Sequence, residues 1–111
     1  MTETRPAAPE SPRDGCHPDD AASLRGFLRG YLHQDCSAEY GTPANAAARF
    51  RAEADPSAVA GALRAWLTLR NEAGGRLDEF NTRLAGLGCE VLFRTPAEVE
   101  EVAALWSRPL A

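Results

Sequence analysis

Lysine and isoleucine are absent from this 111-residue chain, and all 12 of its basic residues are arginine. That bias is what a GC-rich bacterial coding sequence produces, so the arginines are not by themselves a nucleic-acid signal. With 16 acidic residues the formal net charge is -4, which opposes binding to a phosphate backbone, where cationic surface supplies most of the affinity. No stretch approaches the ~20 apolar residues of a membrane span. Met1 to Pro6 also lacks the apolar core of a secretory signal, so the expected location is cytoplasmic. Cysteine is scarce: Cys16, Cys36 and Cys89 are odd in number, widely spaced and form no Cys-x-x-Cys pair, which argues against a disulfide framework and a zinc site. Cys36 and Cys89 are expected to be small buried hydrophobes, and Cys16 lies in a polar segment. Histidine occurs only as His17 and His33. No nucleophile is placed beside a base and no Gly-rich loop is present to cradle phosphate, so neither catalysis nor a cofactor is implied.

What remains is ordinary for a single folded domain: 44% hydrophobic and 25% charged residues. Residues 1–18 hold Pro6, Pro9, Pro12 and Pro18 among small and charged residues. Such a segment buries too little apolar surface to offset its ordering entropy, and it is predicted to be disordered. Residues 19–111 read as an all-α domain, a compact bundle of about five short helices. Asp19-Asp20 suit the start of the first, which runs to roughly His33. Three further starts share one device, a capping side chain followed by proline: Thr42-Pro43, Asp55-Pro56 and Thr95-Pro96. Thr95 and Glu98 add a capping box. The helix from Pro43 to Ala54 offers Ala46, Ala47 and Ala54 around one large residue, Phe50. From Pro56 to about Asn71 the stripe is Val59, Leu63, Trp66, Leu67 and Arg70. Gly74-Gly75 breaks the chain before a helix with Leu77, Phe80, Leu84 and Leu87, ending at Gly86 or Gly88. Cys89 to Phe93 is short and apolar, and a strand with no mate does not persist, so it reads as a buried connector. The last helix carries Val99, Val102, Ala103 and Trp106, and Pro109 ends it.

The stretch from Leu24 to Gly41 carries the functional signal. Leu24, Phe27, Leu28, Tyr31 and Leu32 follow the spacing of one buried helix face, and Asp35 would fall inside that stripe. A buried carboxylate cannot stay unpaired. Either the helix stops before Asp35, which then caps the next stretch of chain, or Asp35 is buried against donors or an arginine, for which Arg70 is the candidate by placement. His33 points the other way, toward solvent or a partner. Gly26 and Gly30 each cost on the order of 1 kcal/mol in a helix interior. Their strip near His33 suits close packing of the alanine-rich helix or docking of a partner. His33, Asp35, Cys36 and Glu39 contain metal-capable atoms, but helical spacing separates His33 from Asp35, and zinc generally needs three or four ligands.

Leu24-x-x-Phe27-Leu28-x-Gly30-Tyr31-Leu32-His33-Gln34-Asp35, followed by Glu39-Tyr40-Gly41, Thr42-Pro43 and a helix with Phe50, resembles the immunity proteins of contact-dependent growth inhibition systems. Their pattern is roughly Tyr-Phe-His-Gln-Asp-Trp, then a Tyr-Gly pair and an Ala-rich helix. Here Leu32 replaces the Phe and Cys36 the Trp. The likeness is dense from Leu24 to Phe50, thin from Asp55 to Leu69, and returns weakly at Leu87-Gly88-Cys89. It implies a small cytosolic protein that binds and neutralises a cognate toxin domain and has no catalysis of its own. The acidic balance suits a basic toxin. Partner contacts are expected at His33, Gln34, Glu39, Tyr40 and Glu53, with Asp55 adding to the negative patch, and structural roles at Asp35, Gly26, Gly30 and Arg70. Two other classes fit the same residues: a small helical regulatory or scaffold protein, and a metal-dependent enzyme using His33, Asp35 and Glu39.

Overall fold

Helix starts are set by side chains that satisfy the first free main-chain N–H groups. In the computed structural model, which describes residues 18–108, the chain forms α1 (Pro18–Tyr31), α2 (Cys36–Glu39), α3 (Pro43–Glu53), α4 (Pro56–Ala73), α5 (Leu77–Gly86) and α6 (Pro96–Ser107), with no strand among those residues. The all-α expectation holds. The tail before Pro18, with Cys16 and His17, and the stop at Pro109 lie outside the described residues.

Proline occupies the first turn of α3, α4 and α6, as the sequence suggests. Thr42 Oγ1 accepts the Asn45 N–H at 3.1 Å. Thr95 Oγ1 accepts the Glu98 N–H at 3.3 Å while Glu98 Oε1 accepts the Thr95 N–H at 3.4 Å, completing the capping box. Asp55 departs from expectation: it stands at the N-cap position of α4 with an extended backbone, but its side chain makes no capping bond. The single turn α2 is also an addition to the five helices read from the sequence, because four residues are too few to show an apolar period. Gly74, at φ +63, ends α4 two residues later than predicted.

α4 is the centre of the packing: α1, α5 and α6 all lie against it, and α3 packs on α6. Its buried face is Val59, Ala62, Ala65, Trp66, Leu69 and Ala73, while Leu63, Leu67 and Arg70 are only half-buried. Small residues let α1 come close. A Cβ on Gly61 would stand 3.2 Å from both Asp20 Oδ1 and Ser23 Oγ. Trp66 has no exposed surface, and its indole N–H donates to the Val99 carbonyl at 3.1 Å. Its ring centroid lies 5.0 Å from Phe80, 5.4 Å from Phe93 and 5.6 Å from Trp106, all edge-on. Trp106 joins this cluster to a second one, Phe27, Tyr31 and Phe50, and donates its own N–H to the Ala47 carbonyl at 3.1 Å. Aromatic pairs in this geometry add to the stabilisation from buried area.

The segment from Cys89 to Phe93 is a connector, and only part of it is buried. Cys89 and Phe93 are in the core, Val91 is half-buried, and Leu92 is 72% exposed. Without a partner strand, its main chain is satisfied by groups of other elements. The Glu90 N–H donates to the Leu32 carbonyl at 2.9 Å and the Cys89 N–H to Leu84 at 3.1 Å. The Asn81 side chain donates to the Phe93 carbonyl and accepts the Phe93 N–H, both at 2.9 Å.

Candidate partner-binding surface

α1 ends at Tyr31, and the chain turns through His33 before α2 begins. His33 Nδ1 accepts the Asp35 N–H at 3.1 Å, and Nε2 stands 3.3 Å from Glu39 Oε1. One ring therefore ties the start of the turn to the end of α2. Asp35 occupies the N-cap position, where its carbonyl accepts the N–H groups of Ala38 and Glu39, both at 3.0 Å. Its carboxylate neither caps nor is buried; it is exposed. The wheel that places Asp35 on the apolar face stops applying four residues earlier, where the helix ends. Arg70 is correspondingly not its partner, since it pairs with Glu100 at 2.7 Å, one turn of α4 facing α6. Gly26 and Gly30 also differ from the packing reading. Both are exposed, and a Cβ at either would meet nothing within 4 Å. α1 turns its Leu24, Phe27 and Leu28 face inward, so the glycine strip is left open rather than covered by α3.

Tyr40 and Glu53, distant in sequence, are brought together through Tyr31. The Tyr31 hydroxyl donates to Glu53 Oε1 at 2.5 Å, and Arg49 Nε donates to Glu53 Oε2 at 2.8 Å. Burial, then the bond to Glu53, pushes the Tyr31 phenol up to about 12. The same bond, followed by the one from Arg49, holds the Glu53 carboxyl below its usual range, so it is presented ionised and oriented. Tyr40 is half-buried, its ring 5.5 Å from Tyr31, and its carbonyl accepts Asn45 Nδ2 at 2.9 Å. Gly41, at φ +86, gives the left-handed turn that lets Thr42 cap α3. The Tyr-Gly-Thr-Pro run is thus a built turn.

His33 and Glu39 meet across this turn, while Gln34 lies toward the connector. The Gln34 N–H donates to Glu90 Oε1 at 3.1 Å, linking it to the connector. Between the turn and the connector opens a cleft of about 710 Å³, whose lining includes Gln34, Ser37, Asn81, Glu90, Leu92 and Arg94. Tyr31, Arg49, Glu90 and Leu92 are the surface residues that sequence reasoning misses. Cys36 and Cys89 are buried and free, and burial pushes both thiols up, which suits packing rather than reactivity. The metal-enzyme reading needs His33, Asp35 and Glu39 to converge. His33 meets Glu39, but among the described residues no three His, Cys, Asp or Glu side chains gather as an ion would require.

The family profile described as CdiI immunity protein matches residues 20–102. The chain belongs to the CdiI immunity protein family. No curated protein and no solved structure matches it. Membership makes it a toxin-neutralising immunity protein of contact-dependent growth inhibition, built here as an all-helical body. The matched region runs from the first turn of α1 into α6, so it includes the stretch from Asp55 to Leu69 where the resemblance is thin. In this CdiI-family chain no helix of the described residues is long and apolar enough to cross a membrane.

Proposed function

We propose that this protein neutralises its cognate toxin domain by forming a stoichiometric complex, using the surface made by the His33–Thr42 turn and the first helices. The observation that carries this reading is the CdiI immunity protein match over residues 20–102. The local chemistry supports a binding role. Both His33 nitrogens are engaged within the turn, and the Tyr31 phenol, raised to about 12, stays protonated at neutral pH. Neither is arranged as a base or a nucleophile. Glu39 and Glu53 are instead fixed by His33, Tyr31 and Arg49, which lowers the ordering cost of presenting them to a basic toxin. Tyr40 contributes the exposed part of an aromatic ring whose other face is already packed.

The test is co-expression with the toxin domain encoded beside this gene. The proposal expects survival of cells carrying both and a complex that co-elutes on size exclusion. Cell death despite abundant folded protein, with no complex, overturns it.

A further inference from the structure

We infer that the cleft between the His33–Thr42 turn and the connector leading to α6 seats a basic, protruding segment of the toxin, with Leu92 as the apolar contact at its edge. This rests on the immunity reading above and adds the place and chemistry of the contact. Leu92 is the single large hydrophobic side chain that is exposed among the described residues, at 72%. It sits beside the cleft of about 710 Å³ that it helps to line. Exposing a leucine on a connector whose neighbours Val91 and Phe93 are tucked in gives the fold nothing. Covering that side chain with a partner removes apolar surface from water, which is the main favourable contribution to association.

The charge around the cleft indicates what it takes. Away from the cleft many carboxylates are matched by an arginine: Glu53 by Arg49, Asp20 by Arg64, Glu100 by Arg70, Glu72 by Arg83, and Glu79 by Arg76 and Arg83. At the cleft the balance is reversed. Glu90 and Glu98 line it and make no ion pair among the described residues, and Asp35 stands exposed between Gln34 and Cys36, both of which line it. Arg94 is the single cation of the lining. Glu90 and Glu98 are held in position by main-chain N–H groups, of Gln34 and of Arg94 and Thr95 respectively. Fixed carboxylates beside a cleft complement a cationic segment and speed its encounter. A second copy of this chain fits poorly, because each copy carries a net charge of -4 and would bring more carboxylates.

The experiment measures binding of the purified toxin domain from the adjacent reading frame to the full-length protein, to Leu92→Asp and to Asp35→Arg, by surface plasmon resonance at several salt concentrations. Both positions are exposed, so melting temperatures should match the parent; Ala104→Asp, on the exposed side of α6, serves as a control. Leu92→Asp is expected to raise Kd roughly 30-fold or more, mostly through dissociation. Asp35→Arg is expected to slow association several-fold at low salt, an effect that shrinks as ionic strength rises. Parent binding with both variants unchanged overturns the cleft while leaving the immunity reading intact. Association of the parent that is insensitive to salt overturns the basic segment. Concentration-dependent self-association abolished by Leu92→Asp assigns the cleft to a second copy and overturns the proposal. Failure of the parent protein to bind overturns the reading beneath it.

Discussion

Asn81 is the residue through which a helix holds the connector that carries Leu92, and replacing it isolates that role. Its side-chain amide makes two hydrogen bonds to Phe93, donating to the carbonyl and accepting the N–H, both at 2.9 Å. Asn81→Ala removes both partners while Phe93 stays in the core, 2% exposed. A net hydrogen bond contributes ~0.5–1.5 kcal/mol, and a dry, unsatisfied main-chain group costs ~1–3 kcal/mol more. The Asn81 side lines the open cleft, so water can reach part of the vacated space. The expected loss is therefore about 2 kcal/mol, which for a domain of this size lowers Tm by roughly 8–16 °C. Urea unfolding followed by tryptophan fluorescence measures it, with an unchanged slope showing that the unfolded state is the same. Asn81→Asp keeps the shape and the acceptor but loses the donor, and should be destabilised at neutral pH as well. A cost below about 0.5 kcal/mol for Asn81→Ala would refute the clamp, since it would mean that solvent replaces both bonds without penalty.

Three further outcomes are expected. Trp66→Phe removes the bond to the Val99 carbonyl and leaves space in a site with no exposure, and should cost about 2–3 kcal/mol in equilibrium unfolding. Gly26→Ala and Gly30→Ala, where the added methyl meets open space, should each stabilise the protein by about 0.5–1 kcal/mol; a destabilised variant would show that α1 is crowded there after all. Because folding raises the Tyr31 phenol from 10.0 to about 12, the stability it brings is complete below pH 10 and is lost as pH climbs toward about 12. Tyr31→Phe should flatten stability across that alkaline window and delete the highest tyrosinate absorbance step, and an unchanged profile would contradict the Tyr31–Glu53 bond.

Much of the fold is legible in the chain because its signals are local. Proline after a capping residue marks three helix starts whatever the tertiary context, and the threonine caps at Thr42 and Thr95 are made as expected. The same logic fails at Asp55, where proline alone starts α4 and the carboxylate makes no capping bond. Of the two alternatives for Asp35, the first holds in part, since α1 stops before it and it stands at the N-cap position of α2 without a side-chain bond, and the pairing with Arg70 fails. A helical wheel extended past Tyr31, where the helix ends, puts the exposed Asp35 carboxylate on the apolar face and assigns it Arg70, which in fact binds Glu100. The alanines of α3 suggest a neighbour for the glycine strip of α1, yet they pack under Trp106 and around Phe50. Composition makes the connector look uniformly buried; the pairing of Asn81 with Phe93 is long-range and leaves Leu92 outside. Of the expected contact residues, His33, Gln34 and Glu39 do share one turn, while Tyr40 and Glu53 meet only through Tyr31, a link that no periodicity reveals.

The central claim is that protection comes from occupancy and not from turnover. Titrating a fixed amount of active toxin with this protein and reading residual toxin activity tests it most directly. The account predicts a linear fall that reaches zero at equimolar protein and does not deepen with incubation time. Complete loss of toxin activity at a small fraction of an equivalent, growing with time, would show that the protein consumes its target and would contradict the account.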